Sequence, residues 1–531
     1  MGQRELDLSC SAFGINRDGS GRQHLGLHRK PLLLLRGIVA FLFCGSLVGC
    51  FTPNGTISFD DSSFVSLFTG PGALIPSFGN QGTVLSPQMM VNFGSHGLTV
   101  DSSGRMLVTG FIPGVQPNTS TFAVGRFNPD GSVDTTFGSQ GNGITTFQYT
   151  ANSDEKACAV VIDPVDFSII VGGRTLAGAT GGVIRSIVLE KLTPDGQIPA
   201  ASSFSNTDSP QLILSNNEII SDSGDEDSCV AMIAAPSSTT SNGYIAAYSM
   251  PALGDTTTLQ MVVAKVLATN GSSPLTAVSG TVTGTTSYVY DVQFTPPCNA
   301  AAYQGGSCSA VVLGAQPVNT NQIGNNSMLT WHVDIHASGV TPTPVNSYKI
   351  NPIAGASDTP RAGIFDAAGN LLVTGYSSIG SGNNGGHVFF LVRLLENSSW
   401  QTTGLDPTFG NLGYAYNPFT TQDSAGFAIT LDPQQRILVG GAFTGNGTGL
   451  DQAVLRYRTD SGSDGFLDQS FGPYEGLTTN EVSSLDDAVT GIYYDTAHDR
   501  ILTVGFGGGN VNAQGGTSNG GMLSISAYTP Q

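Results

Sequence analysis

The chain has 531 residues, only 11% of them charged, and 39 acidic against 20 basic residues leave a formal charge of −19. A surface of that sign repels phosphate backbones, which excludes nucleic acid as a partner. The 70 glycines and the short Val/Ile/Leu/Thr runs between Gly/Asn/Asp/Pro clusters exclude a helical protein and read as strands throughout.

At the N-terminus, Arg29, Lys30 and Arg36 precede a short apolar stretch, Gly37–Gly49, which is too short to cross a bilayer comfortably and has the size of a signal core. It ends in Leu47-Val48-Gly49-Cys50. That tetrapeptide resembles the lipobox of bacterial lipoprotein signals, in which the cysteine thiol is acylated and becomes the first residue. The resemblance implies a signal peptide over 1–49, a linker over 50–72 that starts at lipidated Cys50, and an exported protein anchored in the cell envelope. Phe51 follows the cysteine, and an Asp there would imply retention at the inner membrane, so the outer membrane is the implied destination. The alternatives are an uncleaved anchor over Pro31–Cys50, or cleavage without lipid.

From residue 73 onward the chain repeats itself. The second strand of each unit reads RMLVTG, FSIIVG, GYIAAY, SAVVLG, NLLVTG, RILVGG and RILTVG, and the markers Gly110, Gly172, Ala247, Gly314, Gly375, Gly440 and Gly505 stand 61–75 residues apart. A near-constant period of this size built from strands is a propeller or array. A second marker, Ser/Thr-Phe-Gly followed by another glycine, recurs at 74–82, 133–141, 405–413 and 467–476, preceded by segments such as FAVGRFNPDGS and AVLRYRTDSGS.

These residues resemble the delta-60 repeat family, strongly in repeats one, two, five and six. The resemblance implies a β-propeller and lends no activity. The first FGNQG strand stands alone before repeat one and the last repeat lacks its own. The reading is therefore an all-β, seven-bladed propeller of four-stranded blades over 73–531, closed by an N-terminal strand that completes the C-terminal blade. In the innermost strands, Val100, Ile162, Ile233, Phe294, Phe365, Leu431 and Tyr494 share a large apolar register. Gly97, Ala159, Val230, Asp291, Ala362, Ala428 and Gly491 share a mostly small one, fit for a crowded channel. No helix is expected in this region.

Among the cysteines, Cys298 and Cys308 flank a short loop and are expected to form a disulfide, as suits an exported protein. Cys158 and Cys229 share one register in successive repeats, so their side chains should point in the same rotational sense. Buried free thiols are the expectation there.

At the start of each innermost strand stand Asn92, Asp154, Asp225, Thr286, Ser357, Asp423 and Asp486. The carboxylates Asp154, Asp225, Asp423 and Asp486 are weak candidates for a cation ring. What all seven share is a short acceptor for a nearby backbone N–H, and turn-setting accounts for them better than metal binding. Their neighbours Glu155, Glu226, Asp227 and Asp487 are expected to make that face acidic. The loop at 458–468 carries Asp460, Asp464 and Gly465 in a calcium-like spacing, but Gly462 and Phe471 occupy ligand positions. His332, Asp334 and His336 alternate along one strand and read as a polar outer face. No nucleophile elbow and no phosphate-cradling loop is present.

The sequence thus points to an outer-membrane-anchored binding scaffold, with no catalytic residues, no cofactor and no dedicated metal site. The lipid anchor supplies its contact with the membrane, and its partner would be a protein or glycan. The alternatives are a propeller enzyme with a site at the channel mouth and a passive surface protein.

Overall fold

The computed structural model describes residues 15–17, 23–25 and most of 69–531. The gaps fall chiefly at 200–210, 221–228, 237–242, 252–258, 268–275, 281–286, 318–325, 349–356, 379–385 and 510–520. Cys50, Asp225, Glu226, Asp227 and Thr286 lie outside the described residues. The chain divides into two compact units, Met1–Asp60 and Asp61–Gln531. In the first, Ile15–Arg17 pairs antiparallel with Gln23–Leu25. No described helix is long and apolar enough to cross a membrane.

The second unit is built from antiparallel sheets that follow one another along the chain. In the fifth repeat, Ser357–Phe365, Leu371–Ser378, His387–Glu396 and Thr402–Leu405 pair in sequence order, and the sixth repeats this with Ser424–Leu431, Ile437–Thr444, Leu450–Tyr457 and Leu477–Asn480. In the second and fourth repeats the outer position is divided between two short strands, so those sheets have five strands. The last repeat supplies Asp486–Asp495, Arg500–Gly509 and Gly521–Tyr528, and the strand beside Gly521–Tyr528 is Thr83–Val91 from the other end of the chain.

Packing explains why the second strands read as unbroken apolar runs. In Met106–Pro113, Leu107 enters the cluster shared with the second repeat, while Met106 and Val108 enter the one shared with the last. In Ile437–Thr444, Leu438 faces the last repeat and Ile437 and Val439 face the fifth. A strand buried on both faces has no polar side to alternate with. The innermost strands touch in succession, from Leu98–Val100 through Asp154–Ile162, Val230–Ala234, Tyr288–Phe294, Ser357–Phe365 and Ser424–Leu431 to Asp486–Asp495, which in turn touches Leu98–Val100.

One element departs from the sequence reading. Ala300–Gly305 is a short helix in the loop between Cys298 and Cys308. Asn299 caps it, its side chain accepting the Ala302 amide at 3.0 Å, and three successive alanines favour it. A single turn of helix has no periodicity to read. Cys298 and Cys308 are disulfide-bonded across this loop, with Cα atoms 5.1 Å apart.

Candidate functional site

The centre of the second unit is shaped by a recurring fault in the innermost strands. Register shifts fall at Ala157/Ala159, Val289/Asp291, Pro360/Ala362, Gly426/Ala428 and Val489/Gly491. Each is a β-bulge that leaves one residue out of the alternation and re-aims its side chain. A glycine of the second strand answers to it, the marker itself in the fourth, fifth and last repeats and its neighbour Gly173 or Gly441 in the second and sixth. A Cβ on Gly375 would lie 2.1 Å from the Thr359 carbonyl oxygen, and one on Gly505 would lie 1.9 Å from that of Ala488, so no side chain fits opposite the bulge.

The bulge residues meet their counterparts in neighbouring repeats. The Arg361 guanidinium lies 5.1 Å from the Tyr290 ring and 5.4 Å from that of Phe427. In the second and third repeats the same position holds Cys158 and Cys229, and these form a disulfide with Cα atoms 6.3 Å apart. The expectation of two free thiols is therefore corrected. Regular alternation would aim two side chains of one register in parallel, but the bulge turns Cys158 toward the next strand.

At the strand starts, short acceptors hold adjacent repeats together. Asp423 accepts the His387 amide at 2.6 Å, Asp486 accepts the Leu450 amide at 2.9 Å, and Asp154 accepts the Ser120 hydroxyl at 2.7 Å. The donors belong to the preceding repeat, whereas the sequence suggested each residue's own turn. Burial raises the Asp423 carboxyl pKa, but the bonds from His387 outweigh it and hold the pKa below the usual range. Asn92 and Ser357 are buried at the equivalent starts. Among the described residues no group of three or more His, Cys, Asp or Glu side chains is placed to hold a metal.

The expected acidic face is also corrected in part. Glu155 and Asp487 are fully buried. Glu155 accepts the Tyr149 and Thr150 amides, and Asp487 accepts those of Val482, Ser483 and Gly508. Burial pushes both carboxyls up in pKa, against those bonds. They fasten the loops that lead into the innermost strands.

Asp291 is the charged member of the small-residue register. It accepts the Gly363 amide of the next innermost strand at 2.8 Å and its own Val292 amide at 2.8 Å. Surrounding protein pushes its carboxyl up to about 6, against these bonds. His332 is buried as well, which corrects the reading of its strand as a polar outer face. Its Nε2 lies 3.6 Å from Glu396 and 3.3 Å from the Thr402 hydroxyl of the next repeat. In the calcium-like loop, Asp460 pairs with Arg458 and Asp464 with Arg393, at 2.7 Å for the latter.

The Phe-Gly marker is a clamp between repeats. Arg126 pairs with Asp134 at 2.7 Å, lies over the Phe137 ring at 4.6 Å, and donates to the Pro194 carbonyl of the next repeat at 2.6 Å. Arg393 over Phe409 and Arg456 over Phe471 repeat this, paired with Asp406 and Asp468. The Gly138 amide donates to the Asp195 carbonyl, and the Gly79, Gly410 and Gly472 amides do likewise to Asp130, Asp464 and Pro71. In the last repeat Ala527 stands where the arginine should be, and Arg500 from the neighbouring strand lies over Phe78 and reaches the Pro129 carbonyl instead. The arginines stood at one place in the quoted segments, but their role emerges only when the next repeat is in position.

The chain is a β-propeller. Residues 102–137 match the family described as "Domain of unknown function (DUF5122) beta-propeller". The sequence matches none of the curated proteins. Among solved structures it is similar to an α-L-arabinofuranosidase from Fusarium graminearum in complex with an iminosugar inhibitor. That likeness has a TM-score of 0.35 at 9% identity and covers 84% of this chain and 97% of that one. An α-L-arabinanase from Penicillium chrysogenum gives a TM-score of 0.32 at 9% identity over 84% and 97%. A chain of the mitotic checkpoint complex gives 0.38 at 8% identity over 91% and 99%. At these identities the likeness is one of fold. The expectation of a chain without enzymatic activity does not stand, since the solved structures it is similar to include an arabinofuranosidase and an arabinanase; the likeness assigns this chain no activity of its own.

Proposed function

We propose that this propeller, built from repeats of the delta-60 kind, is exported, anchored at the outer membrane through lipidated Cys50, and binds a protein or glycan partner on the face away from its anchor. In this reading it has seven four-stranded blades, and Thr83–Val91 completes the last. The succession of innermost strands and the pairing of Thr83–Val91 with Gly521–Tyr528 support that count.

The observation that carries the reading is where the chain enters the fold. Gly70–Ala73 packs at the edge that bears the tight turns Asp101–Arg105 and Asn128–Ser132, bonded to Thr529. The strand ends Ser378 and His387, which pair with each other, lie at the opposite edge. A lipid on Cys50, which precedes Gly70 in the chain, would favour the turn edge toward the membrane and the opposite edge outward. Replacing Cys50 with Ser should leave unprocessed precursor and abolish palmitate labelling. Normal processing and labelling would refute the anchor.

A second reading is catalytic, and one observation favours it. Asp291 is a carboxyl in an otherwise small-residue register, and burial pushes its pKa up to about 6, toward the range that suits a general acid or base. Asp291→Asn should abolish turnover of any substrate found while the melting temperature stays close to the parent's.

A further inference from the structure

A cavity of about 670 Å³ lies at the turn edge, where the first three repeats meet. Its inner surface is aliphatic. Val100, Ile162 and Ile233, one from each repeat, line it together with the buried Leu107, Val161 and Ile169. That size, with mostly apolar walls and a few polar groups, is typical of small-ligand sites.

The charged groups here already have partners. Arg105 donates to Asp101 at 2.7 Å through Nε and to Asp134 at 3.4 Å through Nη1. Arg126 is bonded to Asp134 and to the Pro194 carbonyl. Asp163 accepts the Tyr244 hydroxyl and the Val165 amide. Three carboxylates against two guanidiniums leave no net positive charge for an anion, and a strongly cationic ligand would have to displace bonds already made. Arg105 still has its second terminal nitrogen as a donor, and Ser102 stands exposed at the rim.

The rim also carries Phe167, 56% exposed, at a φ of 58°. It closes the turn Asp163–Ser168. At the equivalent place the first and fifth repeats use Gly104 and Gly369, at φ of 76° and 85°. The sixth and last use Gln435 and Asp499, at 64° and 47°, so the turn is shared and only its aromatic residue is particular to the second repeat. A bulky residue in the left-handed region is strained. Phe167 is more than half exposed, so this backbone conformation does not serve to bury the ring fully. What it secures is an aromatic face at the mouth of the cavity.

We propose that this cavity binds a neutral saccharide, one ring stacked on Phe167 and its hydroxyls bonded by Arg105 and Ser102. The C–H face of a sugar ring carries slight positive charge and packs on the negative face of an aromatic ring. Its rim of hydroxyls suits donors and acceptors whose charges are already bonded within the protein. The site lies at the turn edge and depends neither on the lipid anchor nor on the opposite face.

The test is saturation-transfer NMR on the purified protein with cellobiose, maltose and N,N′-diacetylchitobiose, alongside glucuronate and glucosamine as charged counterparts. At least one neutral disaccharide should receive magnetisation, and the charged sugars should bind more weakly. Phe167→Gly should lower that affinity at least tenfold while the melting temperature holds or rises, because the strain is relieved. No transfer to any of the three disaccharides, tighter binding of a charged sugar, or undiminished binding by Phe167→Gly would overturn the proposal. A fall in melting temperature for Phe167→Gly would do so too, by giving Phe167 a structural role.

Discussion

The Gly72 amide donates to the Thr529 carbonyl at 2.7 Å, so the two ends of the propeller chain build a single turn. The Thr529 amide returns to the Ala73 carbonyl at 2.8 Å. An intact turn in the first repeat shows the same pair of bonds, Gly131 to Asn128 and Asn128 to Ser132. Pro71 then offers its carbonyl to Gly472, as Asp130 does to Gly79. A turn that other repeats make from one segment is here made from two.

Closure should therefore carry much of the stability. A chain beginning at Gly94 loses Phe78, Met89 and Val91, all buried. At roughly 1.5–3 kcal/mol for each such side chain, their loss costs about 5–9 kcal/mol before any backbone pairing is counted. That matches the whole stability of an ordinary domain. The shortened chain should aggregate or melt far below one beginning at Cys50. Equal melting temperatures for the two would show that the strand is dispensable.

The Cys158–Cys229 bond spans 71 residues. Cys158→Ser should lower stability by about 2–4 kcal/mol under oxidising conditions, read from denaturant midpoints. Thiol titration of the denatured, unreduced parent should find none of Cys158, Cys229, Cys298 or Cys308 free. A variant as stable as the parent would mean that the bond is absent in solution.

The repeat and its closing strand could be read from the sequence because they depend on spacing and apolar runs, which survive in one dimension. Cys158 and Cys229 were misread for a physical reason. Period-two alternation predicts parallel side chains, and only the bulge at Ala157/Ala159 breaks it. The acceptor role of Asp423 was legible, but its donor was not, since His387 comes from another repeat. Phe167 gave no signal either. Its meaning lies in a positive φ and in a cavity formed by three repeats.

Asp423 separates a structural staple from a cation site. Asp423→Asn keeps an acceptor for the His387 amide and should change stability little. Asp423→Ala leaves that amide unbonded and should cost about 0.5–2 kcal/mol, by analogy with helix-capping positions. Thermal melts with calcium and with chelator complete the comparison. A saturable calcium-dependent rise in the parent, lost in both variants, would make the ring a metal site.

The fifth repeat invites a repair. Arg105 and Arg436 bridge the turn aspartates Asp101 and Asp432 to the clamp aspartates Asp134 and Asp468. The equivalent residue, Asn370, donates its side-chain amide to Asp366, and among the described residues it is Arg393 that pairs with Asp366, Asp406 and Asp464. Asn370→Arg should add the missing bridge and stabilise by about 0.5–1 kcal/mol, as partly exposed ion pairs do, with the gain shrinking in high salt. A loss of stability would show that Arg393 already satisfies all three carboxylates.

His332 and Glu396 should give opposed pH dependences. Burial pushes Glu396 up to about 7, against its bond from Thr402, and pushes His332 down to about 4. Between about pH 4.5 and 7 the folded protein keeps a proton on Glu396 that the unfolded chain has released, so this group makes stability fall as pH rises. Between about pH 4 and 6.5 the folded protein lacks a proton on His332 that the unfolded chain holds, so this group makes stability rise. Each slope is at most about 1.4 kcal/mol per pH unit, and over the shared window they largely cancel. Single substitutions should unmask them. Glu396→Gln should leave a protein whose unfolding free energy climbs from pH 4.5 to 6.5 more steeply than the parent's. His332→Gln should leave one whose stability declines toward pH 7 and then levels. Denaturant unfolding at half-unit steps from pH 4.5 to 8 measures both, and parallel profiles for parent and variants would show that neither group is held away from its ordinary titration.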